Sequence, residues 1–243
     1  MSRLLEGTAT VLLTGGTSGV GAALRRDLLA RGHRVVVLAR RASMLESTLG
    51  LTAHDCDLGD ADTLPAVVKK VIAEHPDISI LINNAGVQNA HPLLSDATTP
   101  DTLRAEVVVN LLAPAILSRA VAPMLKAKGR GAIVNISSGL AWFPKQNAGL
   151  YAASKAGLHS FTQSTRYQMA GTGVAIVEVV LPLVDTPMTA ERGAGKISAE
   201  AASRAILAGL AQGRPIIRVG VARALPVIDT LAPWLGRRML RGS

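Results

Sequence analysis

Cysteine is almost missing from the 243-residue chain: Cys56 stands alone, which excludes an intrachain disulfide and suits a reducing cytosol. Aromatic side chains make up only 2% of residues, so the sequence offers no platform for stacking nucleic-acid bases. Acid is in deficit, with 17 Asp and Glu against 26 Lys and Arg, for a formal charge of +9. The basic residues are spread along the chain, and the densest cluster is Arg237, Arg238 and Arg241. A dispersed basic surface suits small anionic ligands and argues against a nucleic-acid partner. Long apolar runs are also missing. Residues 9–13 are too few for a signal-peptide core, and glycines follow them. Residues 107–125 are interrupted by Asn110, Pro114, Ser118 and Arg119, which favours a buried or interface helix over a membrane span. The expectation is a soluble cytoplasmic protein.

What the chain does contain is a recurring unit. Short apolar runs at residues 9–13, 34–38, 51–54, 78–82, 132–136, 174–181 and 216–219 alternate with helical patterns. Those patterns cover residues 19–31, 43–49, 60–74, 100–128, 150–170 and 198–212. Several runs are apolar at consecutive positions, as in strands covered on both faces. Regular alternation predicts parallel strands joined by right-handed crossovers: an α/β sandwich of about seven parallel strands with helices on both faces. No composition shift marks a second domain. Residues 1–221 read as one domain, and residues 222–243 as a helical, basic tail packed on it or at an oligomer interface.

In such sheets ligands bind outside the carboxyl ends of the strands, near the switch in strand order. The first strand is followed by Thr14-Gly15-Gly16-Thr17-Ser18-Gly19-Val20-Gly21. Gly15 permits a tight turn, Gly19 lets backbone approach a ligand, and Gly21 lets the next helix pack close to the strand. The amides opening that helix favour a pyrophosphate. After the second strand stand Arg40 and Arg41, with no carboxylate to repel a ribose 2′-phosphate. A guanidinium pairs well with phosphate, so Arg40, assisted by Arg41, selects NADPH over NADH. The third strand leads into Asp55-Cys56-Asp57-Leu58 and the fourth into Asn83-Asn84-Ala85-Gly86, where small residues leave room for a flat ligand. Ser138 ends the fifth strand. Tyr151 and Lys155 follow in YAASK, four residues apart and so on one helical face.

Taken in order, TGGTSGVG, DCDL, NNAG, the Asn of VNLLAP, NISS and YAASK resemble the short-chain dehydrogenase/reductase family from about residue 8 to 219. The resemblance implies a Rossmann-type doubly wound sheet and Tyr151 as general acid in carbonyl reduction, or base in alcohol oxidation. Asn110, Ser138 and Lys155 would complete the catalytic set. Lys155 would lower the phenol's pKa, ordinarily about 10, together with the charge of the oxidised nicotinamide. With Tyr151 it would also hold the cofactor. Ser138 would hydrogen-bond the substrate carbonyl, and Asn110, near a helix irregularity, would keep a relay water. Further cofactor contacts would come from Gly15, Thr17, Ser18, Gly19, Val20 and Gly21. Asp57 and Leu58 would line the adenine pocket, and Asn84, Ala85 and Gly86 the adenosine ribose. Pro182, Val184 and Thr186 would meet the nicotinamide. Leu183 departs from the family pattern, which has glycine there, and adds bulk at the nicotinamide edge.

The implied activity is NADPH-dependent reduction of a ketone or aldehyde, reversible with a secondary alcohol. Oxidative turnover, imine reduction and a non-catalytic NADP(H)-binding regulator are the alternatives. The substrate side is less readable. Trp142 and Phe143 either wall an apolar pocket or pack beneath the loop, and residues 187–197, with Gly193 and Gly195, have the look of a lid. Gln88, Asn89 and His91 could reach the same pocket, His91 as a loop residue. No metal-ligand spacing is visible in the sequence. Apolar positions along residues 107–125 and 150–167 point to a homodimer or homotetramer. The tail could close such an interface or lie on an acidic membrane surface.

Overall fold

The computed structural model describes residues 4–91, 94 and 98–241. Its strands are β1 (Thr10–Thr14), β2 (Arg34–Ala39), β3 (Leu51–Asp55), β4 (Ile78–Asn83), β5 (Gly131–Ser138), β6 (Val174–Leu181), the two-residue pair β7 (Val184–Asp185) and β8 (Ile197–Ser198), and β9 (Ile216–Arg218). Seven of them form one parallel sheet in the order β3-β2-β1-β4-β5-β6-β9, while β7 and β8 pair with each other. The helices are α1 (Gly19–Ala30), α2 (Leu64–Glu74), α3 (Pro100–Val107), α4 (Ala113–Lys128), α5 (Gly149–Gln168), α6 (Ala199–Ala211), α7 (Leu225–Leu231) and α8 (Pro233–Arg241). The seven-stranded α/β sandwich expected from the sequence is thus present.

Side chains alternate across each strand, so one sheet feeds two cores. Val11, Leu13, Val35 and Val37 pack with Leu24 and Leu28 of α1 and Ile206 and Leu207 of α6. Leu12, Val36 and Leu38 pack with Val68 and Val71 of α2 and Leu117 of α4. All are essentially inaccessible, and each buried leucine contributes about 1.5–3 kcal/mol. This double cover holds the strand ends as a rigid rim.

One expected helix is missing. Residues 43–49 form only a single 3₁₀ turn, Ala42–Met44, before an extended Leu45. The Asp55 carboxylate accepts hydrogen bonds from the Ser43 amide (2.8 Å) and hydroxyl (2.6 Å), which draws this segment toward the end of β3. Serine bonded this way competes with a helical ladder.

The segment Pro100–Lys128 is continuous and, by length and composition alone, could cross a membrane. Here it packs on the sheet, with Leu117, Val121 and Leu125 buried beside Leu81 and Ile133. Between α3 and α4 it widens into a π-helical turn, Val108–Leu112, a local irregularity of the kind found at functional sites. A buried polar chain then fixes α5: Asn83 Nδ2 donates to Asn135 Oδ1 (2.8 Å), and Asn135 Nδ2 to Thr162 Oγ1 (2.9 Å).

The chain runs β1, β2, β3 outward, then returns to place β4 on the other side of β1. A crevice opens where the direction reverses, at the carboxyl ends of β1 and β4.

Candidate active site

The crevice is a cleft of about 1430 Å³. That exceeds the roughly 300–1,000 Å³ typical of a single small-ligand pocket, so two ligands fit side by side. Its floor is the glycine loop. Gly15 has φ +69°, and a Cβ there would lie 2.9 Å from Ala85 Cα. A Cβ on Gly21 would come within 2.0 Å of the Gly15 carbonyl oxygen, so the helix can start here only without a side chain. The Asn84 side chain donates to the carbonyls of Thr14 (3.0 Å) and Gly15 (3.3 Å). Thr14 Oγ1 accepts from the amides of Asn84 and Ala85, at 3.0 Å each. Asn84 therefore locks the loop's shape in addition to lining the cleft.

Ser18 caps α1 without a side-chain hydrogen bond, and the first turn carries no acid. The opening amides are left for an anion. Thr17, Ser18, Gly19, Val20 and Gly86 line the same cleft. At the end of β2, Arg40 and Arg41 are exposed on its wall, in the turn that Asp55 holds through Ser43. Asp57 and Leu58 face it from the end of β3, with the Asp57 carboxylate folded onto the Gly59 amide (2.8 Å).

Tyr151 and Lys155 project from α5 toward the end of β5 and line the cleft with Ser138. Tyr151 is half-buried. Burial pushes its phenol up to about 12, while a hydrogen bond with Ser138 and the charge of Arg192 pull the other way. Lys155 is buried and donates to the Ile136 carbonyl (2.8 Å), and burial lowers its ammonium to about 8. Its Nζ lies 5.7 Å from the Tyr151 ring centre. The expectation that Lys155 would lower the phenol's pKa is therefore not met without cofactor: desolvation wins, and Arg192 is the cation that opposes it.

Asn110 sits inside the π-helical turn, fully buried. Its Oδ1 accepts from the Val87 amide (2.9 Å), and its Nδ2 donates to the Val87 carbonyl (2.8 Å) and to Ser154 Oγ (3.2 Å). It clamps the loop after β4 onto α5. A lysine with one of three donors used, a tyrosine holding its proton and a neighbouring hydroxyl form a set able to bind sugar hydroxyls and hand a proton to an oxygen.

Pro182, Leu183, Val184 and Thr186 line the far wall. Thr186 and Thr189 cap the next turn reciprocally, and Thr189 Oγ1 donates to the Val184 carbonyl (2.5 Å). The aromatic pair lies elsewhere. Phe143 is 2% exposed, in a small core with Val180, Ala222 and Leu225, and Trp142 packs at its edge with its ring tilted against His159, centres 4.7 Å apart. Phe143 faces Gly236 of α8 and Trp142 lies against His159 of α5, and neither lines the cleft. The apolar wall there is Leu140, Leu225 and Leu240 instead. The tail thus packs on its own domain, and Arg241 O accepts from the Gln146 amide at 3.0 Å.

Gln88 and Asn89 reach the cleft, whereas His91 bonds Glu106 Oε2 (2.5 Å) behind it. Lys145 and Arg192 also line the cleft and were not foreseen from the sequence. Nor was the approach of His54, Glu74 and His75. His54 Nε2 lies 3.5 Å from His75 Nε2 and 3.8 Å from Glu74 Oε2. The fold gathers a constellation of metal-ligand type from residues 20 apart in the chain, although Lys70 already pairs with that carboxylate at 3.8 Å.

Residues 9–197 match the family model described as short chain dehydrogenase. DltE of Bacillus subtilis, an uncharacterized oxidoreductase, is 34% identical over 73% of this chain and 72% of its own. A fatty acyl-CoA reductase of Mycobacterium tuberculosis is 32% identical over 95% of this chain and 83% of that one. A solved short chain dehydrogenase from Burkholderia cenocepacia, in complex with NADP, superposes with a TM-score of 0.85 at 29% identity, covering 96% of this chain and 98% of that chain.

Proposed function

Because the chain belongs to the short-chain dehydrogenase family, we propose that it reduces a ketone or aldehyde carbonyl with NADPH. One observation carries the reading: the Tyr151 phenol, the Ser138 hydroxyl and the Lys155 ammonium line the same cleft as a side-chain-free glycine cradle. The NADP bound to the Burkholderia relative, together with the exposed Arg40 and Arg41 at the end of β2, supports the phosphorylated cofactor.

That cofactor, when bound, supplies the hydride. Ser138 donates a hydrogen bond to the carbonyl oxygen and steadies its growing negative charge. Tyr151 gives up its proton to the same oxygen. A phenol raised to about 12 holds its proton at pH 7 more firmly than a free tyrosine, so the transfer would draw on the positive charge of Lys155, Arg192 and the oxidised nicotinamide to ease its release. Lys155 keeps two donors free for ribose hydroxyls, and Asn110 fixes the loop that borders them.

Tyr151→Phe removes the proton donor while leaving the ring. Turnover of a ketone and aldehyde panel, followed as NADPH consumption, should drop at least about 100-fold. The Kd for NADPH, from fluorescence titration, should stay within about threefold, well below the tenfold change that 1.4 kcal/mol would bring. Undiminished turnover would overturn the mechanism.

A further inference from the structure

The substrate end of the cleft carries positive charge without a matching acid. Arg192, from the segment between β7 and β8, is half-buried, and its two terminal nitrogens donate to the Gln88 side-chain oxygen and to the Gln88 carbonyl (2.9 Å). Both acceptors are neutral. Lys145, after the 3₁₀ turn that follows β5, is half-buried as well, and burial and repulsion from Arg192 both disfavour its charge. Among the described residues, no carboxylate lies within ion-pair distance of either cation, and the one acid lining the cleft is Asp57, at the other end. Glu106 stands behind this wall and feels Arg192, but it is bonded to His91, keeps one oxygen unpartnered and is pushed toward its neutral form by burial. Two partly desolvated like charges facing one cavity are unfavourable unless something anionic joins them.

We propose that the carbonyl compound reduced in this cleft bears an oxyanion, a carboxylate or a phosphoryl group, that docks between Arg192 and Lys145 while its carbonyl meets Ser138 and Tyr151. This rests on the carbonyl-reductase reading above. Arginine retains donors beyond the two spent on Gln88, in the planar arrangement that suits either oxyanion, and lysine adds a point charge. Arg192 is near enough to Tyr151 for its charge to act on the phenol, so the anion would sit close to the reacting oxygen. The bond to Gln88 also ties residues 187–197 to the loop after β4.

Matched pairs test this: acetoacetate against its methyl ester, and dihydroxyacetone phosphate against dihydroxyacetone, each with wild type, Arg192→Gln, Arg192→Lys and Lys145→Gln. Wild type should favour the charged member of at least one pair by about tenfold or more in kcat/KM, the scale of one charge-assisted hydrogen bond. Whichever pair shows it identifies the source of the oxyanion. Arg192→Gln should lower that charged-to-neutral ratio about tenfold, with Arg192→Lys in between. An arginine serving only as a strap would depress both members equally, and an unmoved ratio would overturn the proposal. A matching loss of NADPH affinity would assign Arg192 to the cofactor and overturn it too. If wild type reduces none of the four, the carbonyl-reductase reading is at fault, and calorimetric titration of the two anions into NADP-loaded protein still decides. Saturable binding lost in Arg192→Gln would uphold the anion site, and no binding would end it.

Discussion

Lys155 is a buried ammonium whose one hydrogen bond goes to a backbone carbonyl, so in the ligand-free protein it is a source of instability. Its pKa is about 8 in the folded chain against 10.5 when free. Below pH 8 folded and unfolded chains both hold the proton, and the full burial penalty applies. Between about 8 and 10.5 the folded chain has released a proton that the unfolded chain keeps, so stability rises with pH. Lys155→Met should therefore be more stable than wild type at pH 7, by an amount on the order of 3 kcal/mol, and the gap should close by about pH 10.5. Thermal melts across that range check it, and a gap constant with pH would contradict it. The Tyr-Lys spacing was legible in the sequence because i and i+4 share a helical face. What Lys155 touches was not, because Ile136 comes from a different element. The desolvation that raises the Tyr151 phenol in the ligand-free chain was not legible either, because it is made by distant chain.

At the scale of elements, the strands were legible because consecutive apolar residues can be satisfied only between two layers. The helix expected at residues 43–49 was not, since its periodicity could not reveal that Asp55 would capture Ser43. Without a helix, the connection from β2 to β3 is an irregular stretch with one 3₁₀ turn, pinned to the end of β3 through Ser43, and it carries Arg40 and Arg41. Arg40→Asp should weaken NADPH by about tenfold or more and leave NADH within about threefold, because a carboxylate repels the 2′-phosphate and accepts from a free 2′-hydroxyl. Parallel titrations with the two cofactors measure the split, and equal effects on both would remove Arg40 from the phosphate site.

Across the whole molecule, the cleft is assembled from segments far apart in the chain, and here the sequence was least informative. Lys145, Arg192, Leu225 and Leu240 read as ordinary loop and tail residues until the fold brings them to one wall. The tail docks through Phe143. A Cβ on Gly236 of α8 would come within 2.4–2.6 Å of that buried ring, so Gly236→Ala must displace the ring or α8, and either disturbs the packing that seats Leu240. The KM for the carbonyl substrate should rise severalfold with the Kd for NADPH unchanged, measured on the same preparation. A change in cofactor affinity instead would mean that the two halves of the cleft are coupled through the tail.

The match to the family model ends at residue 197, ahead of α7 and α8. Leu225 and Leu240 thus bring to the cleft's apolar wall a stretch of polypeptide outside the matched residues, while Lys145 and Arg192 come from within them. Exchanging residues 220–241 for another sequence should therefore reshape that apolar wall while leaving the glycine loop and Arg40 in place.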